Sequence, residues 1–375
     1  MRFLLGLVMA ATLAAQADPR FETLARSLQT QDFARAETLL VELIGDYPEE
    51  SAFRERLGVI LMRRGALPEA AEQLTEAVRM QPKAAAARLA LARVRWLQQD
   101  REAAEALLAE AAEIGAEDPG VHQALAEFRR QTGDGEAAAR ELERAIELAP
   151  ASRRLRLELT QLYLDHRTPE GALRAADSAL DRFTGDPELL RLKALALYGL
   201  GESQAAIDAF LAAIDGDPSS EIAYASLETL LPEAGEKLPA IVERLEAFSI
   251  DEPKSPVGPF LLGVALAVED PGEPRVALML REAVRRAPQF WPAWFELHRP
   301  LERTGDMESA IEALEQTVEL HPEHPEARFA LARLYARAGR KDEAKEARLE
   351  HHRLMTARRE AEARRRAVQP KLSVR

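Results

Sequence analysis

Residues Ser51–Ala84 read SAFRERLGVILMRRGALPEAAEQLTEAVRMQPKA. The segment breaks into two helical stretches, joined at a glycine and stopped by a proline. Counting Ser51 as position 1, Leu57 and Gly58 stand at 7 and 8, Gly65 at the turn, Ala70 at 20, Leu74 at 24, Ala77 at 27 and Pro82 at 32. Each residue type has a physical role. Small residues at 8 and 20 let two helix backbones approach, and leucines at 7 and 24 fill the space around them. Proline cannot continue a helix and disfavours helix in the residue before it, so it ends the second stretch.

The same arrangement recurs with a period of 34 residues. Pro48, Pro82, Pro150 and Pro218 keep one frame, and Pro288 and Pro322 are again 34 apart. Alanine recurs at Ala36, Ala70, Ala104, Ala138, Ala172 and Ala206. Leu91-Ala92, Leu125-Ala126, Leu159-Thr160, Leu297-His298 and Leu331-Ala332 fill positions 7 and 8, and Gly133, Gly201, Gly305 and Gly339 mark further turns. Where the terminal proline is missing, Pro119 and Pro187 open the next unit instead, with Asp118 and Asp186 as expected N-caps. A period of this length means stacked helical hairpins.

These residues resemble the tetratricopeptide repeat family. The resemblance implies an all-α fold, a right-handed superhelical solenoid of about ten stacked hairpins. Units begin near Asp18, Ser51, Ala85, Pro119, Arg153, Pro187, Glu221, Val257, Trp291 and Pro325. The expected organisation is a signal peptide at 1–17, regular repeats over 18–220 and 291–352, and a basic helical tail at 353–375. Over 221–290 the spacing slips by two residues and prolines are frequent, which reads as divergent repeats or a hinge.

Composition narrows the function. The net charge is −13, yet Arg353–Arg375 carries eight Lys/Arg against two Glu, leaving about −19 on the rest. An acidic body argues against nucleic acid as partner. No cysteine is present, which excludes disulfides and thiolate chemistry. At the N-terminus, Arg2, the apolar stretch Phe3–Ala15 and the small-x-small site Ala15-Gln16-Ala17 predict export with cleavage before Asp18. The expected location is the periplasm or the medium, with no integral membrane segment in the mature chain.

The resemblance also implies a binding face. First-helix positions 2, 5, 9 and 12 typically line the concave side in this family. Carried over, that face holds Arg93, Trp96, Gln123, Arg130, Arg154, Gln161, Arg191, Tyr198, Phe295, Arg299, Phe329 and Arg333. Arginine forks hold carboxylates and aromatic rings anchor apolar side chains, so the expected partner is a protein or peptide of acidic character. Asparagine is absent from the chain, so the family's asparagine-dependent clamps for chaperone C-termini and peptide backbones do not carry over. No catalytic motif appears: there is no His-Glu-x-x-His, and Gly133-Asp134-Gly135 follows no strand. The histidines are expected to be solvent-exposed, except His298, which reads as a packing residue. The expected function is a non-catalytic interaction scaffold without cofactor or metal, or alternatively a permanent structural subunit of an envelope assembly, secretion or polysaccharide-export complex.

Overall fold

The structure, a computed structural model, describes residues 18–368, with side chains to Arg364. The expected leader at 1–17 lies outside the described residues, as does the end of the basic tail at 369–375. Every regular element among the described residues is helical. Contacts divide the chain into two compact units, Met1–Pro150 and Ala151–Arg375.

The first unit contains four hairpins: α1 (Pro19–Gln29) with α2 (Phe33–Asp46), α3 (Ser51–Arg63) with α4 (Leu67–Met80), α5 (Ala85–Leu97) with α6 (Arg101–Ile114), and α7 (Pro119–Gln131) with α8 (Gly135–Leu148). The second begins with α9 (Arg153–Asp165) and α10 (Pro169–Leu180), then α11 (Pro187–Gly199) and α12 (Ser203–Gly216). It continues with α13 (Glu221–Leu227) and α14 (Leu238–Asp251), and α15 (Val257–Glu269) and α16 (Pro274–Arg286). Its last two hairpins are α17 (Trp291–Thr304) with α18 (Met307–Leu320), and α19 (Pro325–Arg337) with α20 (Lys341–Val368). Within each unit successive hairpins stack on one another, as the 34-residue period requires. No described helix is long and apolar enough to cross a membrane.

The spacing rules act as read. Ala36, Ala70, Ala104, Ala138, Ala172 and Ala206 are completely buried where paired helices touch. A β-carbon on Gly58 would lie 2.4 Å from Cγ of Leu74, so that crossing admits only glycine without rearrangement. The Asp118 carboxylate accepts from the Gly120 amide at 2.7 Å, and Asp186 accepts from Glu188 and Leu189 at 3.1 and 3.0 Å, with proline opening each helix.

Most hairpin turns share one backbone conformation. Gly65, Gly133, Gly201, Gly305 and Gly339 all have φ between +80° and +85°. The same slot is left-handed in the intervening repeats, where Gln31, Gln99 and Arg167 occupy it at φ 60°, 66° and 55°. The turn geometry is therefore imposed by hairpin packing even where the residue opposes it.

The slip in the divergent stretch resolves into two single-residue steps. Ile241 and Val276 occupy the buried slot of Ala206, at intervals of 35, and Ala310 resumes the interval of 34. α13 is cut to seven residues and continues as 3-10 turns at Glu228–Glu233 and Gly235–Lys237, with Pro232 inside the first. Apolar packing nevertheless runs through this region: Tyr224, Leu231, Ile241, Phe248, Phe260 and Leu280 belong to one buried cluster with Leu297 and Leu314.

Candidate functional site

The first helices of three consecutive hairpins in the first unit form a cleft of about 460 Å³. α3 supplies Val59, Met62 and Arg63, α5 supplies Leu89, Ala90, Arg93 and Leu97, and α7 supplies Ala124 and Phe128. On each helix these residues are mostly three or four apart, which puts them on one side of it. Phe128 is almost buried and meets the Trp96 indole edge-on, with centroids 5.6 Å apart. Leu97 stays 48% exposed at the rim.

Two guanidinium groups border this apolar floor. Arg63 lies over the Phe33 ring, 5.3 Å from its centroid. Arg93 donates to the amide oxygen of Gln131. Of the residues nominated from sequence in this unit, Arg93 lines the cleft and Trp96 backs its wall. Gln123 is half-buried on α7 outside the lining. Arg130 forms a two-pronged pair with Glu127, both bonds 2.8 Å, which holds the Glu127 carboxyl below its ordinary range.

In the second unit most nominated arginines are engaged within the chain. Arg154 pairs with Glu158 at 3.6 Å, and Gln161 donates to Asp165 at 2.8 Å. Arg299 pairs with Glu296 at 2.8 Å while lying 5.6 Å from the Phe295 centroid. Burial pushes the Glu296 carboxyl up and Arg299 opposes it. Arg333 and Arg337 converge on Glu302, and the Arg333 bond is the main cause of that carboxyl's lowered pKa. Arg191 is half-buried on α11; desolvation pulls its pKa down, and Glu188 counteracts this. Tyr198 is exposed two turns further along the same helix, and Phe329 is 58% exposed beside His351.

His352 is exposed as expected, but several other histidines are drawn in. His321 and His324 meet at 5.6 Å and both pack on Trp291, at 4.8 and 5.0 Å. His324 also lies 4.5 Å from Phe295 and caps α19, its Nδ1 accepting from the Ala327 amide at 3.2 Å. His298 is buried, as read. Aromatic surfaces on α17 draw these rings in, and residues that far apart in sequence give no sign of it. No described group of three or more His, Asp or Glu residues is placed to hold a metal ion.

Two further features escaped the sequence reading. Arg63 and Leu97 stand at position 13 and Phe128 at position 10, one step beyond the positions carried over. The other is a polar series at position 4: Arg54 bonds Gln73 at 3.1 Å, Arg88 bonds Glu110 at 2.8 Å, His122 meets Glu141 at 2.7 Å and Arg156 reaches Ser178 at 3.5 Å. Each links the first helix of a hairpin to its own second helix. The 34-residue spacing of these residues was visible, but their partners lie on another helix.

The described helices pair into hairpins, and in the first unit one face of three consecutive first helices lines a single cleft. Tetratricopeptide repeat models match residues 61–128 and 301–347 in one form, and 26–74, 124–187 and 157–221 in another. The chain belongs to the tetratricopeptide repeat family. Similar solved structures include yeast Tom70, 14% identical with a TM-score of 0.46, covering 93% of this chain and 96% of that one. YrrB, a tetratricopeptide protein with an unusual peptide-binding site, is 16% identical with a TM-score of 0.37, covering 50% and 96%. MamA from Desulfovibrio magneticus RS-1 is 22% identical with a TM-score of 0.32, covering 56% and 96%. No curated protein matches the sequence.

Proposed function

We propose that this chain is a non-catalytic protein-interaction scaffold and that a polypeptide segment binds across α3, α5 and α7. The cleft carries this reading. It offers an apolar floor of Met62, Leu89 and Phe128, an exposed leucine at the rim and two guanidinium groups, all on consecutive first helices. Such a surface buries a partner's apolar side chain and orients its polar groups, which is how a groove gains both affinity and register. A photo-crosslinking residue at Leu97 should therefore join the protein to a polypeptide partner, whereas one at exposed Glu69 on α4 should not. Equal crosslinking at both positions would remove the cleft as the binding site.

We further propose that the protein works in the bacterial envelope after losing residues 1–17. The support is the Arg2 charge, the Phe3–Ala15 apolar stretch and the Ala15-Gln16-Ala17 site. N-terminal sequencing of the native protein should begin at Asp18; an intact Met1 would refute it.

A further inference from the structure

We infer that the α3–α5–α7 cleft selects a segment carrying a bulky aliphatic or aromatic side chain next to a carboxylate. This rests on the reading of the cleft as a polypeptide site and adds the chemistry of what enters it. The cleft's cations contrast with those around it. Arg64 pairs with Glu37, Arg129 holds Glu105 through bonds of 2.6 and 2.7 Å, and Arg130 holds Glu127. The cleft's own two guanidinium groups have weaker company. Arg63 lies over a phenyl ring and Arg93 bonds a neutral amide oxygen. Neither makes an ion-pair contact among the described residues, although Arg93, after the direct bond from Arg130, helps hold the neighbouring Glu127 carboxyl below its ordinary range.

An incoming carboxylate would give Arg93 a two-pronged ion pair of opposite charge in place of a single bond to a neutral amide oxygen. The apolar floor beside Arg93 excludes water once occupied, and lower local dielectric strengthens the attraction. A lysine or arginine at the same place would meet two like charges with no carboxylate in the lining to offset them. The volume of about 460 Å³ suits one or two large side chains and does not hold a folded domain.

The test is selection from a random dodecapeptide library displayed on phage, using the purified full chain. Enriched peptides should carry Leu, Ile, Met or Phe with Asp or Glu within two or three residues. The double variant Arg63→Glu/Arg93→Glu, with helicity and melting checked against the parent, should bind those peptides at least about tenfold more weakly. Its own selection should turn toward Lys and Arg. Ala90→Trp, which fills the cleft, serves as the second variant. If Ala90→Trp abolishes binding but the enriched peptides are basic or indifferent to the charge reversal, the cleft remains a peptide site and this inference fails. If peptides bind Ala90→Trp and the parent alike, or none is enriched, both readings fall.

Discussion

The Trp96 indole stands edge-on to Phe128, at 81° between planes, and Arg101 covers the same indole at 5.2 Å from the ring centroid. Trp96 is thus a wall of the cleft rather than its lining. Trp96→Ala should lower stability by about 2–4 kcal/mol, combining lost burial with the lost aromatic contact, and weaken partner capture with it. Arg101→Ala should cost about 0.5–1 kcal/mol, the worth of an exposed cation–ring contact. Denaturant midpoints for the two variants decide this; no change in Trp96→Ala would mean that Phe128 stands without it.

Helix contacts within hairpins give a sharper comparison. Ala104 is fully buried between α5 and α6, while Ala103 is half-buried one residue round the helix. Ala104→Leu should destabilise by roughly 1–3 kcal/mol through overpacking, and Ala103→Leu by much less. Equal melting temperatures would contradict the packing frame.

The left-handed turn slot predicts opposite signs for two mirror substitutions. Gln99 sits at φ 66° and Gly133 at φ 85°. Gln99→Gly relieves a steric cost but loosens the unfolded chain, for a net gain of about 0.5 kcal/mol. Gly133→Ala should lose about 1 kcal/mol by the same terms. Urea titrations would detect both, and a loss in each case would refute the shared turn conformation.

Stability of the second unit should fall on acidification. Burial lowers the pKa of His298, where the Phe295 carbonyl and Glu302 oppose the shift and Arg299 and Arg333 assist it. Burial likewise lowers His324, with Glu326 opposing and His321 and Arg358 assisting. A histidine with a depressed folded pKa binds its proton more readily when unfolded. Its contribution is therefore complete above the unfolded value near 6.5 and is lost as pH falls below it. Protonation of His324 Nδ1 also removes the acceptor that caps α19. The melting temperature should drop between pH 7 and pH 5, less so in a His298→Gln/His324→Asn variant. An identical drop in that variant would assign the effect to other groups.

Arg286 pins the divergent repeat to its successor. Its Nη1 lies 3.1, 3.2 and 3.1 Å from the carbonyls of Ser249, Glu252 and Ser255, at the end of α14 and in the loop that follows it, and its Nε bonds Glu282 at 2.8 Å. Arg286→Met should cost about 2–4 kcal/mol by stranding those carbonyls. Arg286→Lys should recover only part, since an ammonium cannot span both sets of acceptors. Thermal unfolding followed by circular dichroism measures each step.

The repeat, its small-residue contacts and the caps Asp118 and Asp186 were legible in the sequence, because each follows from residues at fixed spacing along one helix or one turn. Asp118, Asp186, Gly58 and the alanine series act through neighbours that the 34-residue period supplies, so local chemistry decided them. Tertiary structure alone decided where the cleft lies and which arginines stay available to it. Arg93 and Arg130 look alike in sequence, yet one meets an amide and the other a carboxylate. The same holds for His321 and His324, drawn onto Trp291, and for Ile241 and Val276, which take over an alanine slot through two one-residue steps. Side-chain pairing between helices depends on distances that spacing along one chain does not encode, and there the reading from sequence ends.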